Sequence, residues 1–425
     1  MIGSIIIFVV FYTLLISEKV EKSIVAIFFA FLAIATKLIN FEQAVHAIDL
    51  NVIFLLIGMM TSVNILAETG FFEWIAIFVA KKMKGSGFGI FSMLLILTAV
   101  FSAMLDNVTT VILIAPMTIL ITQILELPTV PFLVFEAMAS NIGGTATLIG
   151  DPPNIIIGSR ADLSFNDFLT HVAPDILFIT ILFVLIAGFL LRKKLRVPQN
   201  IKARVLEAFP ENAIRDRKKL RISLIIFALI FAGFFFHNLL KVEPGVIALG
   251  GMALMLFFAR SESDAMLKSV EWDSILFFVG LFIIIGAMEQ NGALDIFASY
   301  MIKISAGNML IAMLIILWGS AVFSAVLDNI PFVITMVPLV QKLVESFGLS
   351  PVGPNPLFWA LAIGACLGGN GTLIGASANV IIAKIGKKNN SAISFGYFSK
   401  ISVPMTIMTL TVSSVYLWLR YLVFA

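Results

Sequence analysis

Long apolar segments recur along the whole chain, and short polar turns separate them. Examples are residues 88–105, 222–239, 274–288 and 401–419. Since a membrane-spanning helix needs about 20 mostly apolar residues, this pattern predicts a chain that crosses a bilayer many times. The first segment, residues 1–17, has neither a basic start nor a small-residue cleavage site, and we interpret it as a retained helix rather than a signal peptide.

Two kinds of apolar segment are interrupted by polar residues, and each kind occurs twice. In the first kind, two apolar helices flank a short polar turn, at 105–110 and again at 327–331. In the second kind, a helix runs into a Gly-Gly pair, at 143–154 and again at 368–379. Irregular backbone survives at membrane depth only where it is buried or lines a cavity. The pattern therefore predicts two broken helices and two re-entrant hairpins, with two full spans in place of each hairpin as the alternative.

The second half of the chain repeats the first. The segment Phe-Ser-Ala-Met-Leu-Asp-Asn at 101–107 returns as Phe-Ser-Ala-Val-Leu-Asp-Asn at 323–329, and the Gly-Gly segment at 142–150 returns at 367–375. The first half makes an odd number of crossings, so the second half must enter the membrane upside down. We therefore predict an all-α polytopic membrane protein with two inverted-topology repeats, re-entrant hairpins and broken helices, about 10 spans plus 2 hairpins in all.

A long polar stretch divides the two repeats. We place the first transmembrane repeat at 1–195, a linker at 196–220 and the second, inverted repeat at 221–425. The stretch 192–221 holds 11 of the 28 Lys and Arg residues. Basic residues concentrate on the cytoplasmic side of a membrane, so we expect a cytoplasmic linker with both termini outside. The expected location is a prokaryotic-type plasma (inner) membrane.

Composition narrows the class of protein further. The chain is 60% hydrophobic and 12% charged, with a net charge of +3, whereas soluble proteins carry about 25% charged residues. It has one cysteine, three scattered histidines and no Gly-rich loop followed by Lys-Ser or Lys-Thr. We therefore expect no nucleic-acid partner, no metal site, no cofactor and no enzymatic activity, with the lipid bilayer as the main partner.

The polar residues of the four interruptions form the predicted substrate and ion site. Glycine permits an unwound backbone, proline stops or restarts a helix, and the freed carbonyl groups and half-helix ends bind ions. Interrupted segments in matching positions of two repeats are typical of transporter binding sites. The candidate residues are Asp106, Asn107, Thr109, Gly143, Gly144, Thr145, Thr147, Asp151, Asn154, Asp328, Asn329, Gly368, Gly369, Asn370, Thr372 and Asn379.

Four acidic residues are candidates for coupling transport to a proton or a sodium ion. Charged side chains within a membrane are costly and mark ion pathways, which favours this role for Asp106, Asp328, Glu136 and Asp151. The two hairpin aspartates have an alternative role as helix N-caps, and Glu136 has an alternative position near the cytoplasmic surface. We interpret Cys366 as a small apolar filler.

The interruptions resemble those of the ion transporter superfamily, within it the arsenite permease (ArsB-type), NhaD-type sodium/proton antiporter and melanosomal P protein group. The matching residues are Asn-Ile-Gly-Gly-Thr-Ala-Thr-Leu-Ile-Gly-Asp-Pro-Pro-Asn at 141–154 and Leu-Asp-Asn-Val-Thr-Thr at 105–110, and the resemblance covers nearly the full length. It implies a scaffold and a moving core that works as an elevator, a homodimer and, by family analogy only, a cytosolic ATPase partner. Related dicarboxylate carriers have Ser-Asn-Thr at the hairpin tip, where this chain has Asp106 and Asp328.

These observations predict a secondary active transporter that works by alternating access. The candidate ligands are mostly neutral, and no basic residue lies in the four interruptions, Arg160 being the nearest. Such a site favours a small inorganic substrate, and we expect proton-coupled efflux of arsenite or antimonite. The alternatives are a sodium/proton antiporter and a sodium-coupled transporter of organic anions such as citrate or dicarboxylates.

Overall fold

The computed structural model describes residues 2–17, 19–199, 201–202, 209–259, 268, 270–292, 302–304 and 307–423. Within these residues the regular secondary structure is entirely helical, and no strand occurs. The prediction of an all-α protein is confirmed.

The first repeat forms eleven helices in the described residues. They are α1 (Ile2–Ser17), α2 (Lys22–Ala35), α3 (Phe41–Ala47), α4 (Leu50–Ala67), α5 (Phe71–Lys82), α6 (Gly87–Met104), α7 (Asn107–Ile124), α8 (Thr129–Thr145), α9 (Pro152–Ala161), α10 (Phe165–His171) and α11 (Ala173–Leu191). The short helices α3 and α10, which the apolar pattern did not predict, begin at capping boxes formed by Asn40 and Ser164.

The second repeat continues the numbering. Its described helices are α12 (Arg217–Leu240), α13 (Pro244–Phe258), α14 (Trp272–Gln290), α15 (Met309–Val326), α16 (Asn329–Ser346), α17 (Pro356–Gly368), α18 (Ser377–Lys388) and α19 (Phe395–Trp418). Short 3-10 helices occupy Pro210–Ala213 and Gly369–Gly371, and a π-helical turn covers Leu419–Val423.

The protein is a polytopic membrane protein. In the described part of the chain, eight helices are long and apolar enough to cross a bilayer, namely α4, α6, α7, α11, α12, α14, α15 and α19 with its π-helical end. Three further apolar helices, α1, α2 and α13, are only 16, 14 and 15 residues long. The arms α6, α7 and α15 of the hairpins reach spanning length, so length alone does not separate hairpin arms from full spans.

Helices of the two repeats pack between each other rather than in separate bundles. Helix α4 packs on α13, and its counterpart α14 packs on α2. At the first crossing a Cβ atom on Gly58 would lie 2.5 Å from the carbonyl carbon of Ala248, and at the second a Cβ on Gly280 would lie 2.6 Å from that of Ala26. The same close approach at equivalent positions is direct structural evidence of the internal repeat. We refer to α2, α4, α13 and α14 as the scaffold.

The hairpins and broken helices form the rest of the centre, which we call the core. Each first hairpin arm packs on the first half of the broken helix of its own repeat, α6 on α8 and α15 on α17. Ser102 Oγ donates to the Ser140 carbonyl at 2.6 Å, and Ser324 Oγ donates to the Ala365 carbonyl at 2.6 Å. Each second arm packs on the other repeat, α7 on α18 and α16 on α9. The two hairpin tips therefore meet beside the helix breaks.

The described end of the linker packs against the end of α4 and the start of α5. The backbone amide of Arg215 donates to the Thr69 carbonyl at 2.9 Å. Arg215 also pairs with Glu73, and Lys219 pairs with Glu68 at 2.6 Å. These contacts define a linker side of the molecule. The assignment of that side to the cytoplasm, and the division at 1–195, 196–220 and 221–425, remain predictions.

We predict that replacing Gly58 or Gly280 by valine destabilises the protein. The added side chain would overlap the backbone of the facing helix, and overpacking of this kind costs about 1–3 kcal/mol. Both variants should have a lower melting temperature in detergent. The melting temperature is measured by size-exclusion chromatography of samples heated to increasing temperatures. Gly250→Val is the matched control, because no atom beyond the adjoining backbone of its own helix lies within 4 Å of a Cβ built there in the described structure. Equal melting temperatures for the three variants would contradict the packing argument.

Candidate functional site

The aspartates at the two hairpin tips cap the second arms. Asp106 accepts hydrogen bonds from the backbone amide of Thr109 at 2.7 Å and from its hydroxyl at 2.5 Å. Asp328 accepts from the Ile330 amide at 3.4 Å and from the Ser377 hydroxyl at 3.0 Å. Both aspartates therefore serve as N-caps, and each also lies where the chain turns in the middle of the core.

The broken helices are held open by one amide side chain each. Asn154 Nδ2 lies within hydrogen-bond distance of the carbonyl oxygens of Gly144, Thr145 and Thr147, at 3.3, 3.1 and 2.9 Å. In the second repeat, Asn379 Nδ2 donates to the carbonyls of Gly369 and Thr372, both at 2.9 Å. These carbonyl groups have lost their helical partners, and burial without a donor is costly. The asparagine side chains satisfy them.

Two threonines attach the breaks to the hairpins. Thr147 Oγ1 donates to the Ala103 carbonyl at 2.6 Å, and Thr372 Oγ1 donates to the Ala325 carbonyl at 2.5 Å. The breaks are also packed tightly, since a Cβ on Gly143 would lie 2.1 Å from the Ala99 carbonyl oxygen. Several predicted ligands thus use their donor groups to hold the unwound backbone, and their direct contact with a substrate stays a prediction.

Asn141 connects the two repeats at the centre of the core. Its Nδ2 donates to Asn370 Oδ1 at 2.9 Å and to Asn379 Oδ1 at 3.0 Å, and its Oδ1 accepts from Asn107 at 3.0 Å. The position equivalent to Asn141 in the second repeat is Cys366, whose Sγ lies 3.4 Å from Asn154 Oδ1. Asn141 was absent from the predicted site, although an asparagine within an apolar helix just before Gly-Gly was a usable signal.

A small cavity of about 40 Å³ lies between the hairpin tips and the scaffold. Its polar lining consists of Asp106, Asn107, Asp151, Glu271, Ser274, Asn329 and Ser377, and its apolar lining of Leu56, Met60, Val108, Pro152, Phe278 and Ile330. None of the described lining residues is basic. We call this space the central cavity.

The geometry of the central cavity suits a small, singly charged ligand. Asn329 Nδ2 lies 3.3 Å from both oxygens of Asp151, so the amide of one repeat faces the carboxylate of the other. In the described residues, no group of three or more His, Cys, Asp or Glu side chains could hold a metal ion. Asp106, Asp151 and Glu271 line the cavity but do not converge on one metal position. The cavity therefore suits a proton, or an ion bound mainly by neutral oxygens.

The four acids singled out from the sequence occupy three different environments. Asp106 and Asp151 line the central cavity, and Asp328 lies next to it. Glu136 is 1% exposed on α8 and accepts a hydrogen bond from Thr118 on α7. Its Oε2 has no hydrogen-bond partner in the described structure. Glu271, which lines the central cavity, was not predicted, because it precedes an apolar span and looks like a loop residue.

A large crevice of about 780 Å³ opens between scaffold and core on the linker side. Its charged lining comprises Lys19, Glu21, Lys22, Glu271, Asp273, Asp328 and Lys384. Since α4 ends beside the linker and follows α2 with the reverse direction of crossing, the start of α2 at Lys22 lies on the linker side.

An equivalent crevice on the opposite side is nearly closed. Its volume is about 40 Å³, and its lining includes Asn51, Ser159, Glu243 and Pro244. These residues are the repeat equivalents of Asp273, Lys384, Glu21 and Lys22, in that order. The structure is therefore open on the linker side and closed on the other.

A basic side chain reaches one of the interruptions, which corrects the sequence-based expectation. Lys22 Nζ lies 2.5 Å from Asp328 Oδ2. Arg160, expected to be the nearest basic residue, instead lies 3.8 Å from Asp49 and donates to the Ala47 carbonyl at 2.9 Å. Lys22 stands at the start of an apolar span, where a charge is usual, so the sequence gives no sign of its contact with a hairpin tip.

Comparison with known proteins shows the family. Residues 12–364 match the model of the CitMHS family, described as "Citrate transporter". The chain belongs to the CitMHS citrate transporter family. The membership confirms the expected ion transporter superfamily, and the chain is a secondary transporter rather than an enzyme.

Similar proteins agree with this assignment. This CitMHS chain is 41% identical to an uncharacterized transporter of Mycobacterium tuberculosis, over 99% of both chains. It is 39% identical to a 46 kDa membrane protein of Mycobacterium leprae, again over 99% of both. It is 31% identical to the P protein of Sus scrofa, over 97% of this chain and 58% of that protein.

A solved structure shares the fold. The YdaH transporter of Alcanivorax borkumensis superposes with a TM-score of 0.62 at 13% sequence identity, over 86% of this chain and 85% of that one. Together with the helix order, this likeness confirms the predicted architecture of inverted repeats with hairpins and broken helices.

We predict that Asn154→Asp and Asn379→Asp destabilise the CitMHS chain strongly. Each change replaces an amide donor by an acceptor among buried carbonyl oxygens, and a buried group left unsatisfied costs about 1–3 kcal/mol. The melting temperature in detergent should fall in both. The matched control is Asn389→Asp, because Asn389 Nδ2 donates to the Ile385 carbonyl at 2.9 Å on an exposed surface where water can replace it. A control that melts as early as the two variants would refute this role.

Proposed function

We propose that the CitMHS chain couples alternating access to a monovalent cation, with exchange of sodium ions for protons as its best-supported function. The observation that carries the proposal is the central cavity, in which Asp106, Asp151 and Glu271 surround a space of about 40 Å³. A proton, or a sodium ion held with neutral oxygens, fits a space of this size, and a tricarboxylate does not.

The charge of the central cavity supports a cation. An isolated carboxylate away from water is costly unless it is paired or protonated. The polar neighbours of the three acids are Asn107, Asn329, Ser274 and Ser377, which offer neutral oxygens and amide donors. Sodium and protons therefore compete for the same acids, and this competition is what couples the two ions in an exchanger.

The two equivalent crevices support alternating access. One has about 780 Å³ and the other about 40 Å³, although they are built from equivalent helices of the two repeats. If the repeats exchanged conformations, the open and the closed crevice would exchange as well. The central cavity would then face the other side, with the core moving against the scaffold.

A second candidate function is cation-coupled transport of a carboxylate anion. Lys19, Lys22 and Lys384 line the large crevice, which is wide enough for an organic anion, and the family is described as citrate transporters. In this case the central cavity would hold the coupling cation. The four acids that share the crevice with these lysines make it less suited to a highly charged anion.

Efflux of arsenite or antimonite, favoured from the sequence, has less support. That assignment depended on a site without basic residues, and Lys22 lies against Asp328. The neutral amide and hydroxyl groups that suit arsenous acid are largely engaged in holding the broken helices. Arsenite uptake is therefore measured beside sodium and citrate in the transport assay.

The membrane location, the orientation and the protein partners are also proposals. The related mycobacterial proteins support a prokaryotic plasma membrane, and the basic linker supports a cytoplasmic linker side with both termini outside. A homodimer and a cytosolic ATPase partner rest on family resemblance alone.

We predict that purified protein in liposomes moves protons when a sodium gradient is imposed. Asp151→Asn should reduce the initial rate at least about tenfold, because a site that loses its charge loses differential affinity for the cation. Asp175→Asn is the control, since Asp175 is a buried acid outside the central cavity that accepts a hydrogen bond from Ser413 at 2.6 Å. Rates are read from an internal pH dye, with citrate and arsenite uptake measured in parallel.

The sodium, citrate and arsenite measurements distinguish the three candidate functions. Sodium-dependent citrate uptake without proton exchange would replace the first proposal by the second. Arsenite flux driven by the pH gradient would restore the substrate favoured by the sequence. If the Asp151 and Asp175 variants showed the same rate, the central cavity would not be the coupling site.

A further inference from the structure

One ion pair joins the scaffold to the tip of a hairpin. Lys22 is the first residue of α2 in the scaffold, and Asp328 is the N-cap of α16 in the core. Their charged atoms are 2.5 Å apart, and the side chains are 38% and 6% exposed. Separating a buried carboxylate from its cation is costly, because it leaves an uncompensated buried charge. Any movement of core against scaffold at this point must separate these charges.

The other hairpin tip lacks this arrangement. The repeat equivalent of Lys22 is Pro244, and the equivalent of Asp328 is Asp106. Asp106 accepts from the hydroxyl of Thr109, whose own equivalent is Pro331. One aspartate is therefore paired with an ammonium group from the scaffold, and the other accepts a hydrogen bond from a neutral hydroxyl group of its own hairpin. The two tips have the same shape and different electrostatics.

The pseudo-symmetry indicates in which conformation the ion pair forms. In the closed crevice, Pro244 lies with Asn51, Gly158 and Ser159, a lining that does not include Asp106. When the repeats exchange conformations, Lys22 takes the environment that Pro244 has now. It then faces the equivalents of those residues, among them Asp273 and Lys384, and is withdrawn from Asp328. The pair is thus specific to the linker-side-open state.

We propose that Lys22 is a tethered counter-cation of Asp328, which latches the linker-side-open state until a transported cation replaces it. The carboxylate that Lys22 occupies also accepts from Ser377, and Ser377 lines the central cavity. A cation that reaches the central cavity is therefore one hydrogen bond away from Asp328. Its arrival weakens the hold of Lys22 on Asp328 and frees the core to move. The part played by the cation depends on the proposed function, whereas the latch itself does not.

Cysteine labelling of the two crevices tests the latch without measuring transport. Val380 lines the open crevice, and its equivalent Ile155 lines the closed one. Val380→Cys should react quickly with a water-soluble maleimide and Ile155→Cys slowly, while the native Cys366 is fully buried and supplies the background. Adding Lys22→Met should raise the labelling rate of Ile155→Cys at least about threefold, because the population of the opposite state rises when its competitor is destabilised.

Two further variants control for charge and for folding. Lys22→Arg retains a cation opposite Asp328 and should keep the labelling ratio of the parent. Lys19→Met removes an ammonium group from the wall of the same crevice and should also keep the parental ratio. If Lys22→Met and Lys19→Met gave the same ratio, the latch would be refuted. A single symmetric size-exclusion peak ensures that only folded protein is compared.

The competition is tested by repeating the labelling across a sodium and a pH series. In the parent, sodium or protons should shift labelling from Val380→Cys towards Ile155→Cys. In Lys22→Met, the cation concentration that gives half of this labelling shift should be at least about threefold lower. In Asp328→Asn, the labelling shift should disappear. A shift at Ile155 with no sodium-driven proton flux would retain the latch and reject the exchanger. Exchange with an unaltered cation response in Lys22→Met would retain the exchanger and reject the competition.

Discussion

The hydrogen bonds from Asn154 and Asn379 to the freed carbonyl groups are the interaction on which the rest of the structure depends. A helix can be interrupted within a membrane only if its backbone groups find other partners. With these groups satisfied, each broken helix can end in the middle of the protein. The hairpin tips, held by Thr147 and Thr372, can then meet at the same depth and enclose a polar cavity.

The interleaving of the two repeats determines which helices form continuous bodies within the protein. Because α4 packs on α13 and α2 on α14, the scaffold is one body made from both repeats. The same holds for the core, in which α7 packs on α18 and α16 on α9. In the proposed alternating-access cycle, motion would therefore take place between two composite bodies, not between the two halves of the sequence. The ion pair of Lys22 and Asp328 lies on that boundary.

The repeats, hairpins and broken helices could be predicted from sequence because they leave local, recurring marks, such as Leu-Asp-Asn at both tips. The residues that reach the centre from distant parts of the sequence could not be predicted in this way. Glu271 and Lys22 stand at the ends of apolar spans, where charge is usual, and only the folded chain brings them to the site. The roles of Asn154 and Thr147 also depend on folding, because an amide or hydroxyl group suits an ion as well as a carbonyl group. The geometry shows that the backbone takes their donors.

The different charges of the two crevices have a kinetic consequence. On the linker side the mouth contains Lys22, Asp273 and Lys384, while the equivalent positions on the other side are Pro244, Asn51 and Ser159. An ion leaving through the linker-side mouth passes both lysines and carboxylates, whereas an ion leaving through the other passes Asp162 and Glu243 with no lysine among the described lining residues. Thermodynamics requires both directions to share one equilibrium point, but it does not require equal rates. In the proposed transport cycle, equal and opposite gradients would therefore drive unequal rates, and the protein would act as a partial rectifier.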